Sequence, residues 1–303
     1  MNHEPRTTIS EDTTKDVKKF AKGASFTFIG SVMGRIIWFI SQVILARFLG
    51  VEEFGLFILG ILVVKISSQL SCTGLNAGAP RFVAMYKNED VHRTKGVLIN
   101  SFFISFFNGI MFGVIVYFTS DFITGSIFHK PHLSEILKIF ALSIPFLSTL
   151  HVVAFASRGF QTTRYSVYLV EIIQPAINLL LMAAAILLGY GLFGVICAYA
   201  VSHGIALLTG YHSIARQFTA IKLKTIKPIY ETGKLLGYSA PLLLSGFLMF
   251  LISWIDTLML GFMMTSADVG VYRAASQIAL LLPLVLWASN SINIRTIHCR
   301  IVL

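Results

Sequence analysis

Several charged and amide side chains stand inside segments that are otherwise apolar, and these are the residues of the chain that could do chemistry. Arg35 and Lys65 lie near the middle of two such segments. A charge at the centre of a bilayer costs roughly 2.5–3.5 kcal/mol, so such a residue usually lines a water-filled path or pairs with a partner. We therefore predict a polar path through the membrane. Its candidate lining residues are Arg35, Gln42, Lys65, Glu171, Gln174, Asn178, Asp256 and Arg273.

The ionisable members of this set each have an alternative role. For Arg35 and Lys65 we favour a cavity or substrate role, with structural pairing as the alternative. Arg273 and Asp256 flank one short turn, so a bridge between them competes with a place in the path. Glu171 lies toward one end of its segment, where a capping or interfacial role competes with coupling to an ion.

The polar residues of each apolar segment fall on one helical face. Arg35 and Gln42 are seven residues apart, which is about two turns at 100° per residue. Glu171, Gln174 and Asn178 follow the spacing i, i+3, i+7. One polar face on each helix predicts a bundle that surrounds a hydrophilic cavity.

No spacing typical of a metal site or a catalytic nucleophile accompanies these residues. The three cysteines are far apart and form no CxxC pair, which favours small apolar fillers over ligands. His129 and His132 lie in a short loop interrupted by Pro131, and we interpret them as solvated. His203 stands alone in an apolar segment and is predicted to be a neutral, hydrogen-bonded core residue. We predict no cofactor and no metal.

The composition is typical of a membrane protein. Of 303 residues, 55% are hydrophobic and only 13% are charged, whereas an ordinary soluble domain has about 25% charged residues. A soluble protein of this size could not bury so much apolar surface, so the composition excludes a soluble enzyme, a disordered chain and a disulfide-stapled secreted domain.

Apolar runs of about 20 residues are long enough to cross a bilayer as helices. Residues Gly189 to Gly191 (GYG) separate two of them and predict a tight reversal. The fold class we predict is all-α, a polytopic membrane protein of about eight transmembrane helices. The predicted spans are 24–46, 55–75, 97–118, 136–156, 167–188, 192–208, 241–263 and 269–288.

The basic residues predict the orientation of these spans. Alternate loops on one side carry 18 Lys and Arg residues, and the opposite loops carry two, Arg47 and Lys130. Since cytoplasmic loops are enriched in Lys and Arg, we expect a multi-pass protein of the cell membrane with a cytoplasmic amino terminus. The net charge of +10 is thus a topology signal. It also predicts contact with anionic lipids at the cytoplasmic face, and it indicates no nucleic acid.

The chain contains a weak internal repeat. Residues 45–57 (LARFLGVEEFGLF) align with residues 260–272 (LGFMMTSADVGVY) at an offset of 215, which places Gly55 on Gly270. An offset of six helices gives a parallel repeat about an axis along the membrane normal. We expect a six-helix first lobe and two helices of a second lobe, and a complete protein of roughly 430 residues by doubling the repeat. The predicted divisions are 1–23 (cytoplasmic segment), 24–210 (first lobe), 211–240 (basic linker), 241–290 (second lobe) and 291–303 (an atypical tail).

Three stretches resemble a known family. ARFLGVEEFGLF, the basic PRFVAMYKNED loop and SWIDTLMLGFMMTSADVGVYRAASQ look like polysaccharide-biosynthesis (O-antigen-type) flippases. These belong to the multidrug/oligosaccharidyl-lipid/polysaccharide (MOP) exporter superfamily, together with lipid II flippases and multidrug and toxin extrusion (MATE) transporters. The resemblance implies two six-helix lobes, of which this chain lacks the last four helices. It also implies alternating access to an oligosaccharide on a polyprenyl diphosphate, with a polysaccharide polymerase or glycosyltransferases as candidate partners.

Two other functions compete with flipping. A cation-coupled multidrug exporter of the same superfamily commonly has an acidic residue in its first helices, whereas this chain has Arg35 in helix 1, although Glu171 and Asp256 keep the alternative open. A membrane-embedded glycosyltransferase needs a carboxylate or metal cluster at one membrane face, and the short outer loops show no such spacing. We therefore predict a transporter and not an enzyme.

Overall fold

The structure is a computed structural model that describes residues 11–160, 163–221, 223 and 225–279, with side chains described from residue 27 onward. Every regular element in those residues is a helix. Two π-helical segments follow α3 and precede α7, at Ile123–Ile127 and Tyr168–Ile173. The α-helices are α1 (Glu11–Ser71), α2 (Leu75–Tyr86), α3 (Val91–Phe122), α4 (Leu133–Ala141), α5 (Ile144–Ser157), α6 (Thr163–Val167), α7 (Gln174–Leu187), α8 (Gly191–Gln217), α9 (Thr232–Met263) and α10 (Ser266–Ala279).

A break at Gly50 divides α1 into two helical arms. Gly50 has φ 76° and ψ 171°, a backbone conformation that glycine adopts without the steric cost of a Cβ. The predicted first and second spans lie on either side of this break. One residue therefore reverses the chain between them.

The helices are long and apolar enough to cross a membrane several times. Four described stretches meet that test by length and composition, and the bent pair of α4 and α5 makes a fifth. The four stretches are Val91–Ile127, Arg164–Leu187, Gly191–Gln217 and Thr232–Met263. The chain is thus a multi-pass, all-α membrane protein, while the total of eight spans stays a prediction. The end of the predicted eighth span and the tail 291–303 lie outside the described residues.

Prolines mark the places where the spans bend. Pro145 lies in the first turn of α5, and α4 and α5 meet there at 48°. Pro175 lies in the first turn of α7, directly after the π-helical segment. Because proline has no backbone N–H and its ring clashes with the preceding turn, the regular helix ends at both points.

The bundle has two ends, which we name by the loops they carry. The turn face carries the break at Gly50, the loop 128–132, the reversal at Gly189–Gly191 and the turn at Thr265. The basic face carries the connections at 87–90, 158–160 and 225–231. Gly189 and Gly191 both have positive φ (78° and 55°), which confirms the predicted tight reversal.

Close helix contacts at glycine join the first arm of α1 to the end of α6 and to the π-helical segment that follows it. A Cβ on Gly30 would lie 2.3 Å from Val167, and one on Gly34 would lie 2.3 Å from the carbonyl oxygen of Glu171. Only glycine permits this approach, which is the usual role of the GxxxG spacing in membrane helices.

Buried aromatic rings pack the interior of the first lobe near its turn face. The rings of Phe57, Phe140 and Tyr199 contact one another at centroid distances of 5.5 to 6.3 Å. They come from α1, α4 and α8, and each is at most 2% exposed. This core fixes the second arm of α1, and with it the position of Lys65.

Candidate functional site

A cluster of two cations and two indole rings lies where the first lobe meets α9 and α10. The Nζ of Lys65 is 4.6 Å from the ring centroid of Trp254 and 5.4 Å from that of Trp38. The guanidinium of Arg273 is 4.1 Å from the same Trp254 ring. We call Trp38, Lys65, Trp254 and Arg273 the cation–aromatic cluster. Its members come from both arms of α1 and from α9 and α10, so the cluster joins four helical segments.

The crossing of α1 and α10 brings the two cations together. A Cβ on Gly55 would lie 1.7 Å from the carbonyl oxygen of Ser266, and one on Gly270 would lie 2.3 Å from that of Val51. The two helices therefore touch backbone to backbone near their first turns. Lys65 lies ten residues after the first of these glycines, and Arg273, in the middle of α10, is close enough to repel it.

Three further side chains, together with Arg273 of the cluster, contain buried polar atoms without a hydrogen-bond partner on α1 and α10. Gln42, Ser68 and Gln277 are 2%, 2% and 6% exposed. An unsatisfied buried polar group costs roughly 1–3 kcal/mol, and such groups in a native protein call for an explanation. The atoms are both amide atoms of Gln42, Oγ of Ser68, Nε of Arg273 and Nε2 of Gln277.

The charge of the cluster is uncompensated within the part of the chain that the structure describes. No salt bridge there includes Lys65 or Arg273. Trp254 offers only the negative faces of its ring, which attract cations more weakly than a carboxylate does. Two neighbouring cations with unpartnered N–H and O–H groups on the same helices are suited to receive an anion.

A second polar group lies inside the first lobe and is joined by hydrogen bonds. Nδ1 of His203 lies 2.8 Å from the carbonyl oxygen of Tyr199, and its Nε2 lies 3.1 Å from Nε2 of Gln174. Ser202 donates to the side-chain oxygen of Asn178 at 3.3 Å. A carbonyl can only accept, so Nδ1 donates to Tyr199 and Nε2 accepts from the amide of Gln174. The burial and hydrogen bonding predicted for His203 are confirmed.

Glu171 and Arg35 meet at the basic end of the first lobe. Glu171 lies in the π-helical segment Tyr168–Ile173, where α1 approaches most closely at Gly34. Both Arg35 and Arg158 are near enough to attract its carboxylate. The structure thus gives Arg35 a charge partner, which is the alternative role considered for it. Glu171 lies in a π-helical segment, and such segments frequently occur at functional sites.

The bridge between Asp256 and Arg273, one of the two roles considered for this pair, is not formed in the structure. Asp256 instead accepts a hydrogen bond from the Tyr272 hydroxyl at 2.8 Å, and Arg273 stacks on Trp254. Trp254 and Asp256 are two residues apart on α9, so their side chains point about 200° apart around the helix axis. Asp256 is exposed, and it lies on the other side of α9 from the cluster.

The two tryptophans are the functional residues that the sequence reasoning missed. Trp254 stands near the middle of a predicted span, whereas tryptophan in membrane proteins is enriched at the interfaces. A mid-span tryptophan near intramembrane cations was therefore an available signal. Ser68 and Gln277 share helical faces with Lys65 and Arg273, and their spacing had marked the same surface.

A group of ion pairs ties the linker to the first lobe at the basic face. Glu231 accepts hydrogen bonds from Lys234 at 2.8 Å and from the Tyr86 hydroxyl at 2.6 Å. These two partners, with Arg93 nearby, hold the pKa of Glu231 below its usual range. The ionised carboxylate therefore contributes to this contact above its unfolded-state pKa, and the contribution is lost as the pH falls through the lowered folded-state pKa.

No metal-binding group was found in the described residues: none of their His, Cys, Asp and Glu side chains come together in threes that could hold an ion. The candidate site is therefore the cation–aromatic cluster with its neighbouring donors. Its chemistry is electrostatic binding of an anion.

The fold is similar to that of two solved transporters. It is similar to an outward-facing multidrug resistance MATE family transporter of the MOP superfamily (TM-score 0.58, 19% identity), covering 87% of this chain and 61% of that one. It is also similar to a MOP superfamily transporter from Pyrococcus furiosus whose binding pocket is described as having reverse polarity (TM-score 0.55, 18% identity), covering 84% of this chain and 65% of that one. The chain thus spans less than two thirds of the length of either transporter.

The family follows from the sequence match. Residues 20–292 match the model of the polysaccharide biosynthesis protein family, and the chain belongs to that family. No curated protein matches the chain in sequence. The resemblance to this family inferred from the three sequence stretches is confirmed, and the fold is similar to that of MOP superfamily transporters.

Proposed function

We propose that the protein is a flippase that moves a polyprenyl-diphosphate-linked oligosaccharide or polysaccharide repeat unit across the cell membrane. One observation carries the proposal: Lys65 and Arg273 share the Trp254 ring and have no carboxylate partner among the described residues. A diphosphate headgroup needs compensating positive charge in a low-dielectric path, where the attraction between opposite charges is strong. The prenyl tail needs no protein site, because it stays in the lipid.

Membership of the polysaccharide biosynthesis family supports this cargo. The 18-to-2 division of basic residues supports an orientation with the basic face toward the cytoplasm. The basic loops at that face would then also contact anionic lipid headgroups. Glycosyltransferases or a polymerase that make or use the same glycan are the partners proposed.

A cation-coupled drug exporter is the second candidate, because structures of such transporters share the fold. The cluster argues against it, since two uncompensated cations repel a cationic drug. Glu171, one candidate for the ion-coupling carboxylate of such an exporter, already interacts with Arg35 and Arg158. Asp256 is exposed and bonded to Tyr272.

Binding to the purified chain separates the two candidates. The ligands are farnesyl diphosphate as a short prenyl diphosphate, farnesol as its uncharged counterpart, and ethidium as a cationic drug. We expect the chain in detergent to bind farnesyl diphosphate and neither of the other two. A second measurement follows a fluorescent prenyl-diphosphate-linked sugar as it crosses the bilayer of proteoliposomes.

The results discriminate clearly. Binding of farnesyl diphosphate that weakens as the salt concentration rises supports an anion site, because screening reduces the attraction. Binding of ethidium without farnesyl diphosphate would favour the exporter. Equal binding of farnesol and farnesyl diphosphate would show that the prenyl tail is recognised and that the cluster is not.

A further inference from the structure

A lysine of the first lobe holds the end of α9 at the turn face. Nζ of Lys130 donates to the carbonyl oxygens of Gly261 at 2.7 Å and Met264 at 2.9 Å, and to Phe128 of its own loop at 3.1 Å. The last carbonyls of a helix have no partner within the helix, and the negative end of the helix dipole attracts a cation. Lys130, which belongs to the first lobe, bonds to these carbonyls and places its positive charge at the negative end of the α9 dipole.

The loop that carries Lys130 makes two further contacts with the same helix end. The ring of His129, in the left-handed region at φ 53°, lies 6.4 Å from that of Phe262. A Cβ on Gly261 would lie 2.4 Å from Leu59 and 3.0 Å from Phe128. The loop therefore fits closely over the carboxyl end of α9.

A reciprocal contact closes the same face a short distance away. Gly55 lies against Ser266, and Gly270 lies against Val51. Both pairs obey the offset of 215 found in the sequence, because Gly55 corresponds to Gly270 and Val51 to Ser266. Equivalent residues of the two repeats therefore meet across a local two-fold axis, and neither backbone leaves room for a side chain.

The face of α9 that Lys130 holds is also the face that carries the cluster. Trp254 and Gly261 are seven residues apart, which places them within about 20° on the helix. Thr257 lies between them and is 1% exposed. If the end of α9 moved away from the loop, Trp254 would move away from Lys65 with it.

We propose that Lys130 is a positioning residue: it latches α9 to the first lobe at the turn face, and its release opens the cation–aromatic cluster to that face. Lys130 acts through α9 and does not touch the anion. The latch concerns the access of solvent to the cluster, so it does not depend on which ligand the cluster binds.

Access to the cluster can be measured with a thiol reporter. The three cysteines are replaced (Cys72→Ala, Cys197→Ser, Cys299→Ser), and Gln277→Cys then places a single thiol beside the cluster. A charged, membrane-impermeant methanethiosulfonate is applied to oriented vesicles from either side. In a parallel chain Tyr190→Cys, 63% exposed in the wild type, marks the side that carries the turn face.

We expect Lys130→Met to raise the labelling rate of the thiol at 277 at least tenfold from the turn face and to leave it unchanged from the basic face. Lys130→Arg should keep the wild-type rate, since arginine can still donate to the same carbonyls. The matched control is Lys138→Met, which removes a lysine that pairs with Asp121 at 3.2 Å and does not bond to α9. Lys130→Gln, which can keep part of the bonding, should give an intermediate rate and replaces Lys130→Met if that variant does not fold.

Equal labelling in Lys130→Met and Lys138→Met would overturn the proposal. So would a rise of the same size from both sides, because it would show general loosening of the bundle. If the chain failed to bind farnesyl diphosphate while Lys130→Met still raised labelling from the turn face, the proposed function would be overturned and the latch would stand. The latch and the proposed function therefore fail in separate measurements.

Discussion

The cation–aromatic cluster and the polar network of the first lobe lie in one bundle but differ in how their polar atoms are satisfied. In the network, His203 bonds on both ring nitrogens and Asn178 receives the Ser202 hydroxyl. In the cluster, Lys65 and Arg273 lie over aromatic faces and form no salt bridge with a carboxylate in the described chain. Both regions are polar and buried, but of the two only the cluster and its neighbours contain buried polar atoms without a hydrogen-bond partner among the described residues.

This difference separates structure from function in a membrane protein. The described network has no buried polar atom without a partner, and its hydrogen bonds stabilise the packing of α7 on α8. An incomplete set of cations and donors lowers stability unless something binds to it. Intramembrane polarity by itself therefore does not identify a transport path, and the proposed anion site rests on the missing partners of the cluster.

The largest effect on binding is expected from Lys65→Met. A hydrogen bond to a charged group contributes about 1.5–3 kcal/mol, so the affinity for farnesyl diphosphate should fall about 10- to 150-fold. The melting temperature in detergent should not fall, because removal of an unpaired buried charge also removes its desolvation cost. Titration calorimetry and a thermal melt measure the two quantities on one sample.

Lys138→Met is the matched control for this change, since it removes a lysine bound to Asp121 at the turn face. Its affinity for farnesyl diphosphate should equal that of the wild type. If Lys65→Met kept the full affinity, or if Lys138→Met lost as much, the cluster would not be the anion site.

A smaller effect on binding is expected from Trp254→Leu. A desolvated cation–π contact is worth about 2 kcal/mol, and the indole holds both cations in place for the ligand. The affinity for farnesyl diphosphate should fall by up to about 30-fold. Trp254→Phe keeps an aromatic face and should lose only a few-fold, so equal losses in the two variants would contradict a role for the ring.

The smallest effect on binding is expected inside the network. His203→Leu keeps a similar volume but leaves the Gln174 amide and the Tyr199 carbonyl without their partner. This should cost roughly 1–3 kcal/mol of stability and lower the melting temperature, with the affinity unchanged. Thr209→Val is the control, because that hydroxyl bonds only to Ala206 of its own helix at 2.7 Å. A loss of affinity in His203→Leu without a loss of stability would make the network part of the site.

Part of the site was visible in the sequence as a helical spacing. The period of 3.6 residues placed Lys65 with Ser68, and Arg273 with Gln277, on shared faces, and the structure brings these two faces toward each other. The same spacing also selected Gln174 and Asn178, which are bonded inside the first lobe. A helical period identifies a polar face but not the neighbour that the face meets.

The bridge considered for Asp256 is absent for the same reason, because sequence spacing does not show which neighbour a side chain meets. The proximity of Asp256 to Arg273 along the chain suggested a bridge, but the direction of each side chain around α9 assigns Asp256 to Tyr272 and Trp254 to Arg273. Lys130 was counted only as one of two basic residues in the outer loops. Its three carbonyl partners become visible only when the loop 128–132 lies over the end of α9.

The sequence by itself determined the class of the protein, because apolar runs of span length, their proline kinks and the glycines of close helix contact are local properties. It also contained the repeat that relates Gly55 to Gly270, since equivalent turns keep equivalent residues. The tertiary structure alone decided which polar residues are satisfied and which are not. Whether a buried cation has a partner depends on residues about 200 positions away, such as Lys65 and Arg273, and only the crossing of the two lobes brings them together.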